Sequence, residues 1–192
     1  MEKRDEELIL ECQEGSSDAL RLLFLRYKHL IFNYCLRILE NRADAEDVTG
    51  EIFLMLSSRN ENFKPQAKFS TWLYTIARNT CISKIRKRKS IFSISFGGGK
   101  EDDSESFDIP DPKPTPNEEL QKKEIAHQIK KAIHRLPLVQ KEAIVLREYN
   151  ELSYGEIAQI LKTSLENVKI LIFRAREKLR KELAPMIKEG QI

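Results

Sequence analysis

Apolar residues recur every three or four positions over most of the 192-residue chain, the spacing of one face of an α-helix. This periodicity predicts helices over residues 5–14, 18–39 and 44–58, and a longer one that begins near residue 69, with Asp18 and Ser70 as the caps of the second and the fourth. The second helix has an inward-facing apolar stripe at Leu20, Phe24, Tyr27, Ile31, Tyr34 and Ile38. Helical spacing resumes near Asn117 and continues almost to the C-terminal end, where the last helix has an apolar stripe spaced 3,4,3,4 at Leu165, Val168, Ile172, Ala175 and Leu179. No stretch shows the strict alternation of apolar and polar residues that is typical of a half-buried strand. We therefore expect an all-α protein.

The composition changes between residues 90 and 117. This stretch holds three of the seven glycines and four of the seven prolines, and it has six carboxylates against two lysines. Such a segment buries too little apolar surface to fold alone. We expect either a flexible acidic linker or a linker that follows a groove on a partner. It would join two small helical domains, residues 1–89 and 118–192.

The stretch FSTWLYTIARNTCISKIRKRK, residues 69–89, predicts a helix with two different faces. One face is apolar and can be buried. The other runs from an aromatic ring through amide and hydroxyl groups to a basic end, at Trp72, Thr75, Asn79, Ser83 and Arg86. Rings, hydrogen-bonding groups and cations are what a surface offers to single-stranded nucleic acid. A core helix with a solvated basic end would show the same pattern.

Residues 44–58 predict a helix with an acidic and apolar face formed by Asp47, Glu51 and Leu54. That face suits a basic protein surface, and a merely solvated acidic face is the alternative. Gly50 costs about 1 kcal/mol in a helix interior relative to Ala. Something other than helix propensity must therefore hold that turn.

Two capped helices joined by a tight turn are predicted within residues 151–183. Ser153 with Glu156, and Thr163 with Glu166, each have the spacing of a capping box. The second helix is basic in its later half, which favours a DNA-binding helix-turn-helix. An ordinary helical hairpin would share the apolar spacing.

Charge and cysteine usage exclude several classes of protein. The net charge is only +3 and hydrophobic residues make up 41% of the chain, so it is not a uniformly basic coat protein. The acidic start and the absence of a long apolar run favour a cytoplasmic protein without membrane insertion. Cys12, Cys35 and Cys81 are far apart, which favours reduced structural thiols. No nucleophile–base pair or metal-ligand spacing is visible, so we expect no enzyme activity, metal, cofactor or small-molecule substrate.

Together these stretches resemble a bacterial RNA polymerase sigma factor of the extracytoplasmic function (ECF) group, over nearly the whole chain. DAEDVTGEIFLML resembles the family's polymerase-binding helix, and FSTWLYTIARNTCISKIRKRK resembles its promoter-melting segment. LSYGEIAQIL followed by VKILIFRAREKLRK resembles its promoter-binding helix-turn-helix. The resemblance implies that residues 1–89 are sigma domain two and residues 118–192 are sigma domain four. It also implies core RNA polymerase, promoter DNA and an anti-sigma factor as partners.

The resemblance assigns three sets of site residues. Core polymerase would contact Asp47, Glu51 and Leu54. A flipped base of the minus-ten element would enter a pocket made by the loop 62–70, and opened DNA would contact Phe63, Lys64, Lys68, Ser70, Trp72, Tyr74, Asn79, Arg86, Lys87 and Arg88. The minus-thirty-five element would contact Glu166, Asn167, Lys169, Phe173, Arg174 and Arg176.

The chain departs from the family pattern at four places. Gly50 stands where a Gln is common, and Lys162 stands where a Gly is common. The frequent GTV is replaced by Glu166-Asn167-Val168, and the usual Ser-Arg is replaced by Ile170-Leu171. The last change removes a cation from the DNA-facing part of the helix. The preferred minus-thirty-five sequence therefore does not follow from the family pattern. Asn167 could pair with adenine, and Lys169 with guanine or phosphate.

Two other functions fit parts of the sequence. A free-standing helix-turn-helix repressor or activator would explain residues 151–183 but not the polar face of residues 69–89, and it would predict dimers on palindromic operators. A DNA-acting enzyme such as a recombinase would need a nucleophile or a carboxylate metal cluster. The sigma-factor hypothesis explains all three stretches.

Overall fold

The structure is a computed structural model that describes residues 3–57, 63, 68–95 and 116–188. The described residues form eight α-helices and no β-strand, which confirms the all-α prediction. The helices are α1 Asp5–Gln13, α2 Ser17–Leu39, α3 Arg42–Ser57, α4 Phe69–Ser95, α5 Pro116–His134, α6 Leu138–Glu148, α7 Tyr154–Leu161 and α8 Leu165–Lys188.

The chain divides into two compact helical units. The N-terminal unit comprises residues 1–104 and 155–162, and the C-terminal unit comprises residues 105–154 and 163–192. Helices α1 to α4 and nearly all of α7 belong to the first unit. Helices α5, α6 and α8 belong to the second.

The segment predicted to be a linker, residues 90–117, is helical at both ends. Helix α4 continues to Ser95, and α5 begins at Pro116, where its missing backbone N–H costs no helical hydrogen bond. Residues 96–115 lie outside the described residues.

Helix α2 packs against α1, α3 and α4 in the N-terminal unit. Its inward side chains include Leu23, Ile31 and Tyr34, which are fully buried. Burying such a side chain stabilises a fold by about 1.5–3 kcal/mol. The predicted stripe is wrong at Phe24, which is 40% exposed. Its ring instead lies edge-on to Phe53 of α3, at 4.9 Å between centroids.

The start of α4 is fixed by a residue that is distant in sequence. The Phe69 backbone N–H donates to the Glu6 Oε1 of α1 at 3.1 Å, and its buried ring meets Tyr27 of α2 at 5.2 Å. The prediction that Ser70 caps this helix is therefore wrong, because Ser70 already lies inside the first turn. The anchored start sets the direction in which α4 presents its outer face.

Two other helix caps also differ from the prediction. Ser16 caps α2 in place of Asp18, and Ser164 caps α8 in place of Thr163. Each serine hydroxyl accepts the backbone N–H three residues on, at 3.2 Å. A serine cap satisfies one of the unpaired donors of the first turn.

Helix α8 packs against α5 and α6 in the C-terminal unit. Its inward residues Val168, Ile172 and Ala175 are almost completely buried, as the spacing predicts. Leu165 was expected inward as well but is 39% exposed. The side of α8 that faces away from this core carries the predicted promoter contacts.

Candidate nucleic-acid and protein interfaces

The outer face of α3 combines carboxylates with an exposed apolar side chain. The Asp47 side chain is 71% exposed, Leu54 is 70% exposed, and Glu51 between them is exposed. The three predicted polymerase contacts thus lie on one open face. With Glu46, Gly50 and Met55 they line one depression. An exposed leucine next to two acids suits a basic protein surface that carries its own apolar group.

Gly50 lies in this depression and is not required by packing inside the chain. A Cβ atom built at this position would meet no atom within 4 Å. Backbone conformation does not require glycine either, since Gly50 lies within the regular helix α3. The missing side chain at Gly50 therefore shapes the outer surface of α3 and has no role in packing the core.

Lys84 ties α4 to the acidic first half of α3. Its Nζ lies 3.1 Å from the Asp44 Oδ1 and 3.4 Å from the Asp47 Oδ2. The hydrogen bond to Asp44, assisted by Asp47, raises the pKa of Lys84. The basic run 84–89 predicts contacts to DNA phosphates, but the charge of Lys84 is matched inside the protein. Residues 86–88 remain as a group of exposed cations.

The predicted polar face of α4 is present and grades from half-buried to exposed. Trp72 and Thr75 are half-buried, whereas Asn79, Ser83 and Arg86 are exposed. The Thr75 hydroxyl donates to the backbone carbonyl one turn earlier, at 2.8 Å. Asn79 therefore offers the most accessible amide on this face.

Two aromatic residues expected at single-stranded DNA are buried instead. Phe63 is 5% exposed and meets the Trp72 ring at 5.4 Å, and Tyr74 is 3% exposed and meets Tyr34 at 5.5 Å. Neither ring has a free face on which a base could stack, so the expected DNA contact is corrected at both positions. The physical reason is that each ring completes the core beneath α4.

The loop before α4 is described at few positions. Lys64 lies outside the described residues. Lys68 is exposed, and its Nζ lies 2.9 Å from the Glu156 Oε1 within the N-terminal unit. That hydrogen bond raises the pKa of Lys68. Ser70 is half-buried in the first turn of α4.

The first half of α8 presents the predicted promoter contacts. Glu166, Asn167, Lys169 and Arg174 are all exposed. The Asn167 side-chain Nδ2 donates one of its two hydrogens to the Thr163 Oγ1 at 2.8 Å. Bidentate pairing with adenine would use the second N–H together with the amide oxygen.

Arg176 differs from Arg174 in its surroundings. The Arg176 guanidinium lies 2.6 Å from the Glu148 Oε1 of α6, and this hydrogen bond raises the pKa of Arg176. A structural ion pair therefore engages a side chain that sequence analysis assigned to DNA. Arg174 is the better candidate for a phosphate contact.

From the sequence, Ile170 is identified only as a departure from the family pattern and not as a site residue. The structure leaves it 47% exposed, and Phe173, one turn later, is 65% exposed. Both lie outside the stripe of buried residues on α8. The signal available in the sequence was their offset from the 3,4,3,4 core spacing.

The part of the chain that the structure describes contains neither a metal-binding cluster nor a membrane-spanning helix. No group of three or more His, Cys, Asp or Glu side chains among them could hold a metal ion. No helix among them is long and apolar enough to cross a membrane. Cys12, Cys35 and Cys81 are buried free thiols.

Two segments of the chain match families of known proteins. The sigma-70 region 2 family matches residues 23–91, and the sigma-70 region 4 family matches residues 126–179. The chain is 31% identical to the RNA polymerase sigma-H factor of Pseudomonas aeruginosa, over 98% of each chain. It is 34% identical to the ECF RNA polymerase sigma factor SigW of Bacillus subtilis, over 95% of this chain and 98% of that one.

Solved structures share the fold. The sigma factor RpoE of Bartonella quintana, in complex with the anti-sigma factor NepR, matches with a TM-score of 0.71 at 22% identity, over 85% of this chain and 96% of that chain. CnrH, in complex with the cytosolic domain of CnrY, matches with a TM-score of 0.70 at 21% identity, over 95% of this chain and 99% of that chain. With relatives at 31% and 34% identity over nearly their full length, the chain belongs to the ECF family of RNA polymerase sigma factors, which direct promoter-specific transcription.

Proposed function

We propose that this sigma factor divides its work among three surfaces. The α3 surface, formed by Asp47, Glu51 and Leu54, binds core RNA polymerase. The α4 surface, formed by Trp72, Asn79 and the cations 86–88, binds the minus-ten region and helps to open the strands. The outer face of α8 reads the minus-thirty-five element.

The observation that carries this proposal is the separation of unlike chemistries within the N-terminal unit. Helix α3 exposes two carboxylates and, one turn later, an apolar side chain, and α4 exposes an amide followed by three cations. Lys84 joins these helices but is neutralised by Asp44 and Asp47. An acidic face repels DNA and suits a protein, whereas the basic end attracts phosphates. One unit can therefore hold polymerase and DNA at once.

The basic end of α4 can be tested with the triple variant Arg86→Gln, Lys87→Gln, Arg88→Gln. We expect holoenzyme containing this variant to bind promoter duplex more weakly and with less salt dependence. Each lost phosphate contact reduces the slope of log affinity against log salt by about one unit. The measurement is a salt titration of promoter binding, followed by transcription in vitro with purified core polymerase.

A matched control removes three cations elsewhere, by Lys3→Gln, Arg4→Gln and Arg21→Gln at the exposed beginnings of the first two helices. The control has the same net charge and should keep the salt slope. Equal losses in both variants would show that overall charge, rather than this surface, binds DNA. Operator binding by the protein alone as a dimer would favour the free-standing regulator instead.

An anti-sigma factor is a further proposed partner, and the solved RpoE and CnrH structures are both complexes, the first with a named anti-sigma factor. The α3 surface suits such a partner because Leu54, an apolar side chain, is 70% exposed there. Burying one leucine contributes about 1.5–3 kcal/mol to an interface. An inhibitor that covers this surface would exclude core polymerase.

We expect such an inhibitor, purified from the same cell by binding to this sigma factor, to compete with core polymerase. Increasing the concentration of core should release the inhibitor in a two-colour titration, and Leu54→Ala should weaken both complexes. Val139→Ala, which truncates an exposed apolar residue of the C-terminal unit, is the matched control. A stable ternary complex that still initiates transcription would contradict the proposal.

A further inference from the structure

We infer that Ile170 and Phe173 form an apolar reading surface on α8 that contacts thymine methyl groups in the minus-thirty-five element. The inference rests on the proposed function of α8 and extends it to the base groups that this chain recognises. It assigns a specificity role to Ile170, one of the positions at which the chain departs from its family's sequence pattern.

Two large apolar side chains, Ile170 and Phe173, are exposed on α8. Ile170 and Phe173 are three residues apart, so they lie on the same side of the helix. They are 47% and 65% exposed, whereas the core-facing Val168 and Ile172 are at most 1% exposed. The pair therefore points away from the core of its own unit.

Exposed cations lie near the pair. Lys169 and Arg174 are exposed next to these residues in sequence, and further exposed cations follow at Lys178 and Lys181. An apolar partner protein would not need this concentration of cations. Duplex DNA supplies the matching charge along its phosphates, and its major groove supplies apolar groups only as the C5-methyl of thymine. Charge complementarity thus favours DNA as the occupant.

Polar groups on this face are partly engaged within the protein. One of the two Asn167 amide hydrogens is engaged by the Thr163 hydroxyl at 2.8 Å, and Arg176 is paired with Glu148 at 2.6 Å. These contacts reduce the number of hydrogen-bonding groups that are available for base recognition on this face. Apolar contact at Ile170 and Phe173 therefore adds a second means by which the middle of the reading face can prefer one base pair over another.

The test replaces thymine by deoxyuracil, which removes the methyl group and leaves base pairing intact. The preferred minus-thirty-five element is first selected from a randomised promoter library with wild-type holoenzyme. Each thymine in it is then replaced singly, and binding is measured for wild type, Ile170→Ala and Phe173→Ala. Burial of one carbon group contributes about 0.8 kcal/mol, so losing one buried methyl group should weaken the affinity about fourfold.

We expect at least one replacement to weaken wild-type binding about fourfold and to have little further effect in Ile170→Ala or Phe173→Ala. Such non-additivity is the signature of a direct contact. Val139→Ala removes an equally exposed apolar group from α6 and should keep the full effect of every replacement. Thermal unfolding checks that each variant remains folded.

Three outcomes would overturn the inference. The first is a set of selected elements with no thymine opposite α8, and the second is a set of replacement effects that are identical in all variants. The third is an Ile170→Ala variant that weakens holoenzyme assembly and leaves DNA binding unchanged, which would make the pair a protein-docking surface. Failure of the proposed function would look different, because wild-type holoenzyme would then show no preference at the minus-thirty-five element at all.

Discussion

Reversing the charges of the α3 surface, by Asp47→Lys with Glu51→Lys, is expected to abolish tight binding to core polymerase. Truncating one member of a buried interfacial charge pair costs about 2–5 kcal/mol, because the opposite charge is left buried and unpaired. Reversing two charges adds repulsion. We expect the dissociation constant, measured by titration of labelled sigma factor with core, to rise by at least about thirtyfold, which corresponds to about 2 kcal/mol.

The fold should survive this change. Both carboxylates are exposed, and exposed ion pairs contribute about 0–1 kcal/mol to stability. Asp47 does share Lys84 with Asp44, but the shorter contact, at 3.1 Å, is the one to Asp44. Circular dichroism and thermal unfolding should therefore show a helical protein with a transition close to that of wild type.

Two controls separate the surface from its side effects. Glu14→Lys with Asp18→Lys makes the same change in net charge at exposed acids of the α1–α2 region, and should keep the affinity for core. Lys84→Met removes the contact to Asp47 without altering either carboxylate of the α3 surface. If Lys84→Met weakens binding as much as the double reversal, the role of Asp47 is to position α4 rather than to bind polymerase. Unchanged affinity in the double reversal would mean that this acidic face is merely solvated.

Helix existence could be predicted from sequence because it depends on local periodicity. The stripe of Val168, Ile172 and Ala175 on α8 is buried as its spacing predicts. The same reasoning found the exposed carboxylates of α3 and the exposed Asn79 of α4. In each case the pattern of apolar residues fixes which face turns inward and leaves the other outside.

The cap of α4 and the buried aromatic residues could not be predicted because they depend on contacts distant in sequence. The Phe69 N–H is capped by Glu6, which lies 63 residues earlier. Tyr74 is buried because Tyr34 of another helix lies against it. Lys84 was assigned to DNA because its neighbours are basic, yet its partners belong to α3. One-dimensional patterns contain no information about such pairings.

Lys162 shows that a turn can lack the residue type by which such turns are usually identified in a sequence. It has a φ of 53°, in the left-handed region where glycine is favoured, and the family commonly has glycine at this turn. Non-glycine residues adopt this conformation at a cost of about 1 kcal/mol or more. The turn is therefore retained without the residue that usually marks it, and the flanking helix signals located it.

The final prediction separates strand opening from duplex binding by single substitutions on α4 and α8. Asn79→Ala should impair opening of the minus-ten region and leave the initial binding of closed promoter duplex nearly intact. Asn79 is exposed, so its loss should not disturb the core, whereas Trp72 contacts Phe63 and Phe69 and would be a poor choice. Leaving a base edge without its hydrogen-bond partner costs about 1–3 kcal/mol.

Arg174→Ala should have the opposite effect. It removes a phosphate contact, so closed-complex binding falls across many promoter sequences and the salt slope decreases by about one unit. Arg174→Lys keeps the charge and is the matched control, which should retain the slope. Arg176→Ala is less informative, because the loss of its ion pair with Glu148 also affects α6 and α8.

Salt-dependent promoter binding and permanganate footprinting of opened thymines, both with holoenzyme, measure the two steps separately. On a pre-melted promoter bubble, the defect of Asn79→Ala should be only partly rescued, because the contact to the single strand is still missing. Full rescue would mean that Asn79 acts on duplex melting alone. If Asn79→Ala opens promoters normally and Arg174→Ala binds them normally, both surfaces are wrongly assigned. The Asn79 amide would then not contact DNA during strand opening, and the Arg174 cation would not contact DNA in the closed complex.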